Sequence, residues 1–281
     1  MPDYKDNFVL TDDELPKISI ITPCYERQHF LPLMLCNLIH FDYPKDKIEW
    51  TVLQDGPVCL FGSPEREQEG RNAIKPIRLN YKYEKDIRRT IGEKRNKAIK
   101  MSRSKYYLMM DSDDIYFPTY PRYAVSTLRK HKLGIVGSKQ MLFMYPFDDY
   151  KMSGINCEAK RQIHEGTSLI EKKHFNSTKG FNKSSQGEGV GLLDLCENRA
   201  ECLDINLCMV CIDHGENTIP KEMFKKQVIE AELSGVHLDV LKMVMENTFP
   251  EKFTKTTPSQ QMSETPTLED PSDLQQPSDR E

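Results

Sequence analysis

The chain has 281 residues, 38% hydrophobic and 29% charged, which is enough for one large domain or two small ones with a real core. A formal net charge of −4 gives no overall pull toward nucleic acid or a membrane surface, and no apolar run approaches the roughly 18–20 residues that span a bilayer. The acidic start MPDYKDNFVLTDDELPK is no secretory signal, so the eight cysteines are expected as reduced thiols of a cytoplasmic protein. Cys196, Cys202, Cys208 and Cys211 raise a zinc site. Their C-x5-C-x5-C-x2-C spacing is not a common one, and LCMVC reads as a buried strand, so buried free cysteine is the preferred reading.

The first 130 residues alternate between strand and helix patterns. KISIITP (17–23) is rich in β-branched residues and stops at Pro23, which predicts a strand. ERQHFLPLMLCNLIHF (26–41) predicts a helix with Leu33, Leu35, Cys36 and Leu38 toward its apolar side and Pro32 near its first turn. IEWTVLQD (48–55) is a second strand, ended by Asp55-Gly56-Pro57, and IRLNYKY (77–83) a third. Thr90 followed three residues later by Glu93 is a capping-box pattern, which opens a helix in TIGEKRNKAIKMS. KYYLMMD (105–111) is a fourth strand, YPRYAVSTLRKHK a helix and LGIVGS a short strand. Such alternation implies an α/β fold with a mostly parallel central sheet and helices on both faces. Ligands of these sheets collect at the carboxyl ends of the strands, where Pro23-Cys24, Asp55-Gly56 and Asp111-Ser112-Asp113 all fall.

The second half is less regular. KQMLFMY (139–145) and TSLIEKKHF (167–175) read as strands or strand–turn pieces, and FNKSSQGEGVGLLDLCEN as a loop entering a helix. CLDINLCMVCID reads as one or two strands, and KEMFKKQVIEAELSG and VHLDVLKMVMEN as helices. From about residue 251, Pro, Ser, Thr, Gln and acids dominate, and residues 251–281 are expected to be disordered.

Chemistry concentrates in YYLMMDSDDIY (106–116), where an apolar strand runs into three acids. Carboxylates at alternate positions past a strand can aim oxygens at one Mg2+ or Mn2+, which usually keeps substrate phosphates and water as its other ligands. An Asp-rich turn that caps the next helix is the plainer alternative. GEKRNKAIK brings Lys94, Arg95, Lys97 and Lys100 to a helix start, which suits a phosphate or nucleotide, or forms an ordinary solvated face. TPCYERQHFLP offers backbone amides and the Tyr25 ring to a planar group, and Asp55 could accept a hydrogen bond from a base N–H. An ordinary loop and an Asp-Gly turn are the alternatives there.

Taken in order, ISIITPCYERQHFLPLMLCNL, VLQDG, IGEKRNKAI and YYLMMDSDDIYFP resemble the nucleotide-sugar-binding half of family 2 glycosyltransferases of the GT-A fold, over residues 17 to about 130. GTSLIEKKHF with KGFNKSSQGEGVGLL is similar to the acceptor-side segment of that family, and VCIDHGENT to its late His-x-x-Asn-Thr segment. The resemblance implies one domain over residues 1–250, Rossmann-like, with a nucleotide-sugar half (17–135) and an acceptor half (136–250). It implies a metal-dependent, inverting transferase that takes a sugar from a nucleoside diphosphate, UDP above others, to a glycan or other hydroxyl-bearing acceptor.

Residue by residue, the resemblance implies that Thr22, Pro23 and Tyr25 line the nucleotide loop and that Asp55 contacts the base. Arg95 would stand near the base or its phosphates, and Asp111, with Ser112 beside it, by the ribose or a metal-bound water. Asp113 would ligate Mn2+ or Mg2+ directly, and His214 would be a further metal or diphosphate ligand, which favours Mn2+. An inverting transfer needs a base on the face opposite the leaving diphosphate. Glu188, in a glycine-flanked loop at a helix start, is implied as that base, with Asp194 as the alternative. The family often carries Glu-Asp at this point, whereas this chain has Glu188-Gly189. Two other readings compete: a nucleotidyltransferase, for which TPCYERQHF lacks a glycine-rich phosphate loop, and an inactive GT-A module that only binds.

Overall fold

The computed structural model describes residues 9–156, 163–193, 200–225, 228–229 and 233–253. Its strands are β1 (Ile18–Tyr25), β2 (Ile48–Gly56), β3 (Arg78–Lys85), β4 (Tyr106–Met109), β5 (Ile115–Tyr116), β6 (Ile135–Gly137), β7 (Gln140–Tyr145), β8 (Lys151–Asn156), β9 (Leu169–Glu171), β10 (Ala200–Cys202), β11 (Met209–Ile212) and β12 (Val228–Ile229). Its helices are α1 (Leu31–His40), α2 (Pro64–Ala73), α3 (Ile91–Met101), α4 (Tyr120–Lys130), α5 (Lys172–Ser177), α6 (Val190–Leu193), α7 (Val236–Thr248) and α8 (Pro250–Phe253).

The main sheet has the order β10-β6-β9-β4-β1-β2-β3. All of its neighbouring pairs are parallel except those of β9, which is antiparallel to both β4 and β6. The β1 sequence explains its central place. Ile18 and Ile20 pack on one side with Leu33, Met34 and Leu38 of α1, while Ile21 packs on the other with Ala98 and Ile99 of α3. A strand covered on both faces must be apolar throughout, which is why 18–25 reads as a run and not as an alternation. A smaller sheet, β12-β8-β7-β11-β5, leans on the carboxyl end of the first and carries the 212–218 segment toward it.

The mostly parallel sheet with helices on both faces is as expected. The Thr90–Glu93 capping box is present in both directions, and Pro32 sits in the first turn of α1. Three segments differ from expectation. KEMFKKQVIEAELSG is not a helix: its described part is a 3-10 turn at Glu222–Phe224 followed by β12. TSLIEKKHF divides into β9 and α5. The ordered chain passes residue 251, because α8 sets Phe253 against Phe147 with ring centroids 5.5 Å apart. The rest of the expected disordered tail, 254–281, lies outside the described residues, as do Asp194 and Cys196. Cys208 and Cys211 are buried thiols, and Cys208 Sγ donates to the Asp204 carbonyl at 3.2 Å. No helix among the described residues is long and apolar enough to cross a membrane.

Candidate active site

The carboxyl ends of β1 and β4, the start of α3 and the loops at 164–166, 185–188 and 216–219 enclose a cleft of about 900 Å3. That volume lies within the range of small-ligand sites. The three acids that follow β4 stand on its floor, and each has its own cation, so their repulsion is offset before any ligand arrives.

Asp111 Oδ1 accepts from Arg95 Nη2 at 2.7 Å, and its amide donates to the Tyr116 hydroxyl at 2.8 Å. Asp113 Oδ2 accepts from Arg27 Nε at 3.1 Å and meets His214 Nε2 at 2.9 Å. Burial alone would raise the Asp113 pKa, but His214 and Arg27 outweigh it and hold the carboxyl well below its ordinary value. Asp114 is buried and structural. Its Oδ1 accepts from the Ile212 amide at 2.8 Å, its carbonyl accepts from Asn37 Nδ2 at 2.9 Å, and Lys221 Nζ lies 3.6 Å away. Burial pushes its pKa up to about 7 despite Lys221. Asp114 thereby joins the β4–β5 turn to α1 and to β11, and β11 leads directly into His214.

Ser112 is buried in the protein but lines the cleft, as do Pro23 and Tyr25. Arg88 lies over the Tyr25 ring, 3.3 Å from its centroid. Thr22 does not reach the cleft. It is fully buried, and its hydroxyl accepts from Trp50 Nε1 at 3.0 Å, so its place is in the sheet. Asp55 is also fully buried: Oδ1 accepts from Lys94 Nζ at 2.8 Å and Oδ2 from the Arg89 amide at 2.6 Å. The expected direct contact of Asp55 with a base therefore has no surface here. What Asp55 holds, the Arg88–Arg89 turn, is what faces the cleft.

The start of α3 is not an open phosphate site. The Glu93 amide is capped by Thr90 Oγ1, the Ile91 amide donates to Ser185 Oγ at 3.2 Å, and the Gly92 amide donates to the Ser184 carbonyl at 2.9 Å. These bonds fasten the 182–189 loop to α3. Three of the four basic side chains expected there are also engaged, Lys94 with Asp55, Lys97 with Glu84, and Arg95 with both Asp111 and Glu188, while Lys100 is exposed. Arg95 is 2% exposed. Burial works against its charge, and the two carboxylates outweigh that. Glu188, the expected base, therefore sits on the cleft wall with Oε1 bound to Arg95 Nη1. Burial raises its pKa above the ordinary carboxylate value, and Arg95 offsets only part of that.

His214 is buried, and its backbone amide donates to Asn217 Oδ1 at 3.0 Å. The Glu216 amide donates to His214 Nδ1 at 3.4 Å, which leaves the ring proton on Nε2, facing Asp113. Asp113 Oδ2 and His214 Nε2 are close enough to share one ion, which would take the place of that proton. A carboxylate oxygen with an imidazole nitrogen suits Mn2+ better than Mg2+. Arg27, Lys221 and Glu165 were not foreseen. Each lies far in sequence from its partners, and a lone basic or acidic residue in a polar loop carries no signal of its own.

The sequence profile described as Glycosyl transferase family 2 matches residues 19–182, more than half of the chain. The chain belongs to that family. Similar solved structures include the mannosyltransferase PcManGT from Pyrobaculum calidifontis, in complex with GDP-Man and Mn2+. It is 16% identical with a TM-score of 0.55, over 78% of this chain and 61% of that one. S. aureus TarS 1–349 is 17% identical with a TM-score of 0.53, over 70% and 60% of the two chains. Its complex with UDP-GlcNAc is 16% identical with a TM-score of 0.52, over 79% and 60%. The fold is GT-A, and the chain spans about three fifths of the length of these structures. No curated protein matches the sequence.

Proposed function

We propose that the protein moves a sugar from a nucleoside diphosphate, a UDP-sugar above others, to an acceptor hydroxyl with inversion, assisted by Mn2+ or Mg2+. The observation that carries this reading is the pairing of Asp113 with His214 in a cleft whose lining also includes Glu165 and Glu188. Pro23, Tyr25 and the Arg88–Arg89 turn form the nucleotide end, where a base can lie against a ring and a guanidinium. Ser112 and Asp111 stand between that end and the ion site. Asp113 and His214 would hold the cation, which would supply charge neutralisation for the departing diphosphate. Arg27 moves off Asp113 or stays as a second positive group beside the phosphates. The wall formed by 165 and 185–188 takes the acceptor's proton, and Glu188 is the residue the sequence designates for it.

Calorimetric titration with UDP and GDP tests the donor end. At least one nucleotide is expected to bind, about tenfold or more tighter with Mn2+ than without, and Asp113→Ala is expected to abolish the difference. Equal affinity with and without Mn2+ in the unaltered protein refutes the ion site, and failure to bind either nucleotide refutes the donor class.

A further inference from the structure

We infer that Glu165, and not Glu188, is the general base, an inference that rests on the glycosyl-transfer reading above. Glu165 lies on the 3-10 turn Glu165–Thr167 just before β9. Its backbone is fixed: the Ser168 amide and hydroxyl both donate to its carbonyl, at 3.1 and 2.7 Å. Its side chain crosses to the α6 loop, where Oε1 accepts from the Gly189 amide at 3.1 Å. The carboxylate fills the space that a side chain at 189 would need. A Cβ on Gly189 would fall 2.6 Å from Glu165 Cγ and 2.9 Å from Oε1. Position 189 is thus glycine with a carboxylate already in its side-chain volume, delivered from a different part of the chain.

The two glutamates differ in what they are free to do. Glu188 is 5% exposed, and a proton placed on it would cost the buried guanidinium of Arg95 one of its two carboxylate partners, leaving Asp111 alone. Glu165 is only half-buried, lines the cleft, and among the described residues receives a single hydrogen bond, on Oε1. Oε2 is available to an acceptor hydroxyl. Gly166 beside it packs on Asp111, since a Cβ there would fall 2.7 Å from Asp111 Oδ2. Glu165 is thereby held next to the donor-side acids. In the reaction, Glu165 Oε2 takes the hydroxyl proton and the hydroxyl oxygen forms the new bond to the anomeric carbon. The bond from that carbon to the diphosphate oxygen breaks, and its electron pair leaves on the diphosphate. Glu188 with Arg95 positions the loop that holds Oε1.

The test is nucleoside diphosphate release from UDP-glucose, UDP-galactose, UDP-GlcNAc and GDP-mannose with Mn2+, with water as acceptor. With the donor that the unaltered protein consumes, Glu165→Gln is expected to lower kcat at least about 100-fold and to leave the donor KM within about threefold. E165A is expected to be as slow, and E165A/G189D to regain at least about tenfold over E165A, because the new carboxylate enters the vacated volume. Glu165→Gln within about threefold of the unaltered kcat overturns the inference, as does a folded E165A/G189D no faster than E165A. An unaltered protein that consumes none of the donors overturns the glycosyltransferase reading, and this inference with it.

Discussion

Replacing Arg95 with alanine is expected to cost about 3–5 kcal/mol of folding stability, measured by urea or guanidinium unfolding. The guanidinium is buried between Asp111 and Glu188, with Glu165 as a further negative group nearby. Removing it leaves three carboxylates around one water-poor spot with no cation among them. The cost therefore comes from the charges left behind more than from the lost bonds. Arg95→Lys keeps the charge but cannot reach both carboxylates with a planar fork, so it is expected to recover only part of the loss. The folded fraction of either variant is expected to consume donor at least about tenfold more slowly, because Arg95 ties the β4 floor to the Glu188 wall.

Gly92→Ala is expected to be the most disruptive change of a single methyl group. A Cβ at 92 would fall 1.8 Å from the Asn182 carbonyl oxygen and 3.1 Å from Glu188 Cβ. The first of these is backbone, so no side chain can swing aside. The 182–189 loop would have to lift off α3 and lose the Gly92–Ser184 and Ile91–Ser185 hydrogen bonds. A cost of about 3 kcal/mol or more is expected in denaturant unfolding, with loss of donor consumption as the wall moves. Gly187→Ala, five residues along the same loop from Asn182, is the control. Nothing lies within 4 Å of its added Cβ, and its φ of +60° makes the change cost only about 1 kcal/mol.

The sequence made the sheet legible because buried parallel strands write themselves as apolar runs, and β1, β2 and β4 are of that kind. The capping box at Thr90 was legible because both partners lie within one turn. Helix α2 was not, since PEREQEGRNA buries only Gly70 and so shows no apolar stripe. The Ser63 cap and Pro64 at its start were the available signals. KEMFKKQVIEAELSG misled because its spacing of charges and apolar residues satisfies a helix, whereas tertiary pairing draws Val228–Ile229 into a strand beside β8.

In the site, Asp113 and His214, each implied as a metal ligand by motif resemblance, meet at 2.9 Å although 101 residues separate them. Thr22 and Asp55 were placed at the cleft by the family resemblance, but both side chains are fully buried, where Trp50, Lys94 and the Arg89 amide take them up. The basic run at α3 suggested a phosphate site, yet Lys94, Arg95 and Lys97 are engaged by acids from β2, β3, the β4 end and the α6 loop. Glu165 left no trace at all, because its place in the side-chain volume of Gly189 arises only in the folded chain.

The most direct test of the central claim is proton NMR of donor turnover. An α-linked nucleotide sugar, incubated with the protein and Mn2+, is expected to yield free sugar that appears first as the β anomer and only later equilibrates, because direct displacement by water inverts the anomeric carbon. A first-formed α anomer contradicts inversion. A donor panel that stays intact under the same conditions contradicts the proposal that this family 2 chain is an active glycosyltransferase.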